Sequence, residues 1–177
     1  MNEYDWAGQF REVWVRSVAA YNAGKTKPQS LFSSQDVAFL ASIGCTPQEL
    51  FDFVEDFCRG GEPDYDSVLL VTSARRDYFY TIQHRQLSAK VISMDQLPPK
   101  SAALDGIEWL PRIIVKAQAK LRGEMPPELM YGCGGDRPFL TSVNTHLADF
   151  LRLVWAVDGD SQKVLDFVQE QIKRANA

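Results

Sequence analysis

Asp36-Val-Ala-Phe39-Leu40-Ala-Ser42-Ile43 is answered one hundred positions later by Asp136-Arg-Pro-Phe139-Leu140-Thr-Ser142-Val143. At the same offset Leu50, Phe51, Phe53 and Val54 stand opposite Phe150, Leu151, Leu153 and Val154. Upstream, Phe10, Val13, Val15, Arg16 and Ala19 stand opposite Leu110, Ile113, Val115, Lys116 and Ala119. Repetition at a constant period is a statement about architecture. It predicts one helical unit written twice: a first repeat over 5–85, a connector over 86–108 and a second repeat over 109–177. The two are expected to pack together as a single compact domain spanning 1–177. Each unit alone lies near the lower size limit for a stable core, so copy against copy is the expected way to cover the apolar faces.

The pattern within each repeat is helical. Trp6, Phe10, Val13, Trp14, Ser17 and Tyr21 recur at helical spacing, and Gly24 and Pro28 stop the run. Ser33 or Ser34 caps a short helix through Ile43. Thr46-Pro47-Gln48-Glu49 is a helix start in which Thr46 caps, Pro47 takes the first helical position and Glu49 closes the capping box. That helix ends at Gly60-Gly61, and a fourth begins near Asp66. In the second repeat helices are expected over Pro111–Arg122, up to Val143, over Thr145–Val157 and over Ser161–Arg174. The fold class is therefore all-α, with three to four helices per repeat. One segment reads two ways. Tyr78-Phe-Tyr-Thr-Ile continues the fourth helix or pairs with Lys90-Val-Ile-Ser-Met94, so a short β-hairpin is allowed near 78–94.

Composition bounds function without naming it. The 177 residues carry a net charge of −4, which argues against a general nucleic-acid binder. No apolar run approaches the roughly 20 residues that cross a bilayer. The opening Met-Asn-Glu-Tyr-Asp-Trp is not expected to be a signal peptide. Cys45, Cys58 and Cys133 are an odd count with no CxxC, which fits reduced thiols in a cytoplasm. With only His84 and His146, no zinc pattern exists, and no cofactor or metal is expected.

Because the repeats share an apolar frame, the positions that differ are informative. Leu31-Phe-Ser-Ser-Gln-Asp36 is an ordinary serine cap. Its counterpart Tyr131-Gly-Cys-Gly-Gly-Asp136 is a glycine-rich loop with a thiol at a helix start. Such a loop exposes backbone N–H groups to an anion and favours the thiolate. The preceding helix brings Arg112, Lys116 and Lys120 along one face. The expected site is thus Arg112, Lys116, Tyr131, Cys133, Gly134, Gly135 and Asp136, taking a small anionic ligand or a protein partner. The bland readings are a tight turn, a packed thiol, an Asp136 that serves first-turn N–H groups, and cations that pair with it. Tyr131 is expected to bury its ring and tie its hydroxyl to backbone. His146 is expected at a helix start. Arg75-Arg76-Asp-Tyr78-Phe-Tyr80 through His84-Arg85 is expected to form a solvated basic face or a partner contact. All four tryptophans are expected in the core.

Leu110-Pro-Arg-Ile-Ile-Val-Lys116-Ala-Gln-Ala-Lys-Leu121-Arg-Gly123, followed by Tyr131, Cys133, Asp136 and Phe139-Leu140, resembles the uncharacterised bacterial family named domain of unknown function 5069. The likeness covers roughly Trp109 to Val168. The chain departs from that pattern at Val115, where the family has an acid, and at Gln118, where it has an arginine. The resemblance implies a mostly helical cytoplasmic bacterial protein and no particular activity. Three function classes follow: a binding module at 131–136, a thiol-dependent enzyme with Cys133 as nucleophile, and a structural homodimer.

Overall fold

Thr46 accepts a hydrogen bond from the Glu49 amide while the Glu49 carboxylate accepts from the Thr46 amide, and this reciprocal box starts a 14-residue helix. Ser33 and Asp36 close a second box of the same kind. Around such starts the computed structural model, which describes residues 3–175, is mostly helical. The chain divides into two units, Met1–Arg85 and Gln86–Ala177.

The first unit holds α1 (Trp6–Asn22), α2 (Pro28–Leu31), α3 (Ser34–Ser42), α4 (Pro47–Gly60) and α5 (Tyr65–Thr81). Helix α4 is strongly amphipathic and buries Leu50, Phe51, Phe53 and Val54. It packs on α1, where the ring centroid of Trp14 lies 5.4 Å from that of Phe57. Helix α5 runs on through Thr81 because its apolar stripe, Val68, Val71 and Phe79, keeps the helical period. The turn that ends it places His84 at φ 49° and Arg85 at φ 63°.

The second unit holds a hairpin of β1 (Ala103–Leu104) and β2 (Ile107–Glu108), then α6 (Leu110–Arg122), α7 (Asp136–Ser142), α8 (Leu147–Ala156) and α9 (Ser161–Ala175). The short hairpin therefore lies at 103–108 and not near 78–94. Asp105 at φ 48° and Gly106 at φ 77° form its turn, the two positive angles that a tight hairpin demands. Residues 86–108 are bound to their own unit. Ser88 donates to the Glu124 carboxylate at 2.8 Å and the Ile92 amide to the Glu124 carbonyl at 2.9 Å. Helix α6 packs on α8 around Leu110, Ile113, Phe150 and Leu151, all buried.

The two units share local geometry at the hundred-residue offset. The Cys45 amide donates to the Leu40 carbonyl, and the Thr145 amide to the Leu140 carbonyl, each at 2.9 Å. The residue that makes the turn is Gly44 at φ 72° in the first unit and Asn144 at φ 48° in the second. Arg16 meets Asp36 at 2.7 Å, and Lys116 meets Asp136 at 2.5 Å. The parallel has limits: Phe39 is buried and Phe139 only half-buried.

Candidate functional site

Trp109 decides the geometry of the second unit's loop. The hairpin delivers the chain to it, and it precedes the first helical turn of α6 with φ 69° and ψ −26°. A bulky residue in the left-handed region is held there only by its surroundings. Its amide donates to the Ala102 carbonyl at 3.1 Å, and its carbonyl accepts from the Ile113 amide at 3.0 Å. Its indole N–H donates to Asp136 Oδ1 at 3.0 Å. A β-carbon added at Gly135 would lie 2.5 Å from Trp109 Cζ2, so glycine there permits the close approach of the ring.

Asp136 is fully buried and receives three donors. Besides the indole, Lys116 Nζ reaches Oδ2 at 2.5 Å and the Gly132 amide reaches the same oxygen at 2.8 Å. The Lys116 side chain is 2 % exposed. A buried pair of this kind is tolerable because the remaining lone pairs are also satisfied. The same salt bridge in the first unit is built differently. The Arg16 side chain is 57 % exposed, and Asp36 serves the Ser33 capping box. Burial works to raise the Asp36 pKa, but hydrogen bonds from the Ser33 hydroxyl and amide, with Arg16, hold it below the usual carboxylate value.

Lys116 has a second neighbour. Its Nζ lies 3.3 Å from Cys133 Sγ, and Cys133 is half-buried. The Cys133 carbonyl accepts from the amides of Asp136 at 2.9 Å and Arg137 at 3.1 Å, which fixes the thiol beside the ammonium. Arg137 Nη1 in turn donates to the Gly132 carbonyl at 2.7 Å. Lys116, Cys133, Asp136, Gly132 and Trp109 thus form one cluster across two segments.

The other expected site residues are placed differently. Tyr131 is buried and its hydroxyl donates to the Leu147 carbonyl at 2.8 Å, away from the loop. Burial, with the charges of Asp136 and Asp149 adding, pushes its phenol well above the usual tyrosine range, so it remains a donor. Arg112 does not face the loop's carboxylate. Its Nη1 donates to the Pro98 carbonyl at 2.6 Å, and its guanidinium lies 5.8 Å from the Trp109 ring centroid. Gly134 is exposed, and a β-carbon there would meet only Arg137 Nη2, at 3.8 Å.

The readings of Asp136 and of the cradle need correction. The acid does not cap the first turn of α7, whose start has no side-chain cap. It turns back to the Gly132 amide, so the loop cradles the protein's own carboxylate. His146 does cap α8, its Nδ1 accepting from the Ala148 amide at 3.1 Å. Nor are all four tryptophans core: Trp14 is buried, while Trp6, Trp109 and Trp155 are half-buried. Sequence reasoning missed Trp109, although a tryptophan directly before Leu110-Pro111 marked a crowded helix start.

In the first unit the expected basic face is only partly solvated, with His84 and Arg85 exposed. Arg75 is buried, with Nη1 on Gln83 at 2.7 Å and its Nε and Nη2 without partners. Burial draws its pKa down. Arg76 lies over the rings of Trp6 at 4.9 Å and Tyr80 at 4.1 Å, and Arg85 lies over Tyr80 at 4.2 Å. Arg76 and Arg85 thus each rest on aromatic rings of their own unit.

Among the described residues no group of three or more His, Cys, Asp and Glu is placed to hold a metal ion. No helix among them is long and apolar enough to cross a membrane. No family model matches this chain, and neither a curated protein nor a solved structure is similar to it.

Proposed function

We propose that the second unit is a thiol centre in which Cys133 is the nucleophile. Lys116 is the cation beside the sulfur, and Asp136, Trp109 and the Gly132 amide position that cation. The single observation that carries this reading is the 3.3 Å contact from Lys116 Nζ to Cys133 Sγ. An ammonium at that distance donates to the sulfur and holds it in place, and cysteine sulfur is the strongest nucleophile of the cluster. Half-burial leaves a small electrophile a route to the sulfur. The comparison between units supports the reading. Both have the cation–carboxylate pair, but the first has Ser33 where the second has Cys133, so the thiol is what distinguishes the later copy. Cys45, Cys58 and Cys133, none of them in a disulfide, suit a reducing, cytoplasmic setting. The family-like positions Lys116, Cys133 and Asp136 are then the working residues, with Tyr131 as framework.

The direct test is alkylation by iodoacetamide at neutral pH, followed cysteine by cysteine. Cys133 is expected to react about tenfold faster than Cys58, a difference of ~1.4 kcal/mol in barrier. The Cys58 thiol is pushed up by burial, and Cys45 is buried. The double variant Lys116→Met/Asp136→Asn, which removes both charges and keeps an amide oxygen for Gly132, is expected to erase the advantage. A Cys133 no faster than Cys58 sinks the proposal.

A second reading, a module for a small anion, has one observation in its favour. The Trp109 ring carries two cations, Arg112 at 5.8 Å and Lys100 at 6.0 Å. Neither takes part in the buried pair. Under it Arg112→Ala weakens binding of inorganic phosphate by roughly tenfold in a calorimetric titration, on the scale of one charge-assisted hydrogen bond. Equal binding by the two proteins removes this reading.

A further inference from the structure

We infer that Cys133 and Lys116 form a covalent sulfur–nitrogen link when the protein meets a hydroperoxide, so that the cluster is a reversible oxidative modification site. The inference rests on the thiol-centre reading and extends it to a defined product.

Four features of the cluster lead to it. The reacting atoms already touch, at 3.3 Å. The Lys116 side chain is held by its bond to Asp136 at 2.5 Å and cannot swing into solvent, so the amine stays at high effective concentration beside the sulfur. Asp136 touches the same nitrogen and is placed to take its proton. Cys133 is only half-buried, so its residue still meets solvent from which a small peroxide arrives.

The chemistry balances in two steps. The sulfur attacks one oxygen of the hydroperoxide; the S–O bond forms, the O–O bond breaks, and the thiol proton leaves with the departing alcohol or water. Sulfur is oxidised by two electrons and the peroxide is reduced by two. Lys116 then gives one proton to Asp136, and its freed lone pair attacks the sulfenic sulfur. The S–N bond forms, the S–O bond breaks, and hydroxide leaves with a second amine proton as water. Sulfenic acids condense in this way with nitrogen nucleophiles. The product replaces a buried ion pair by a neutral amide-like link and a neutral carboxyl group. Attack by an external thiol on the sulfur breaks the S–N bond, returns the proton and the amine to Lys116 and leaves a mixed disulfide, which a second thiol displaces to restore Cys133.

Purified full-length protein is treated with hydrogen peroxide, and its intact mass and non-reducing tryptic map are compared before and after. The expected product is lighter by two hydrogens. Cleavage after Lys116 is lost, and the peptide containing Lys116 travels with the peptide containing Cys133. Dithiothreitol restores the original mass and map. Lys116→Arg keeps a cation for Asp136 but has no primary amine. It is expected to stop at the sulfenic acid, which dimedone traps, and Cys133→Ser is expected to show neither product. If wild-type Cys133 gains oxygen while Lys116 remains cleavable, the link is refuted and the thiol-centre reading survives. If Cys133 is neither oxidised by peroxide nor alkylated faster than Cys58, both fail together.

Discussion

Lys116→Met alone is expected to lower the unfolding free energy by about 3–5 kcal/mol, the usual cost of leaving one member of a buried pair behind. Asp136 is fully buried and would keep only the Gly132 amide and the Trp109 indole for its charge. That loss is about a fifth or more of the total stability of an ordinary domain, about 5–15 kcal/mol. Lys116→Met/Asp136→Asn is expected to recover most of it, because buried ion pairs are often no better than neutral replacements of similar volume. The first unit supplies the control. Arg16 meets Asp36 at a similar distance, but the arginine is 57 % exposed. Solvent screens that pair, so Arg16→Met is expected to cost about 1 kcal/mol or less. Urea denaturation of the four proteins separates these outcomes. If Lys116→Met and Arg16→Met have equal effects, the second unit's pair is not a buried anchor.

The helices and their starts were legible because their causes are local. Thr46, Pro47 and Glu49 act on one another within a single turn, and the stripe from Leu50 to Phe57 follows from the helical period alone. The hairpin was also written locally, in Leu104-Asp105-Gly106-Ile107, while the aromatic run at Tyr78–Ile82 carries the stronger β-propensity. β-propensity there lost to the period that puts Phe79 on the buried stripe of α5. The cluster was half legible. The repeat equivalence of the two segments brought Lys116 toward Asp136, and the hundred-residue offset marked Cys133 as the changed residue. Three things were not readable. Nothing in the spacing says that Asp136 turns back to the Gly132 amide. Nothing says that Arg112 reaches Pro98, a partner 14 residues earlier in the chain. The burial of Arg75 depends on which side of α5 the unit encloses, and charge patterning alone assigned it to the outside.

Gly44 and Asn144 offer a test of packing against backbone preference. Both turn the chain in the left-handed region, at φ 72° and 48°, where asparagine is one of the few tolerated side chains. Sequence equivalence therefore predicts that Gly44→Asn is mild. The surroundings predict otherwise. A β-carbon at Gly44 would lie 2.6 Å from Phe79 Cγ and 2.8 Å from its Cβ. Those atoms are at the root of a buried ring on α5 and cannot rotate out of the way. Overpacking of this kind costs about 1–3 kcal/mol. Gly44→Asn is therefore expected to lose about 2 kcal/mol or more, and Gly44→Ala about 1 kcal/mol beyond the packing term because alanine resists the left-handed angle. Asn144 is exposed, and Asn144→Gly is expected to change stability by less than about 1 kcal/mol. Phe79→Ala in the Gly44→Asn background distinguishes the causes. If the clash with the ring governs, the alanine, which removes Cγ and Cδ1 and leaves only the β-carbon, costs less in that background than in the parent protein. If the two costs simply add, the ring is not what excludes a side chain at position 44.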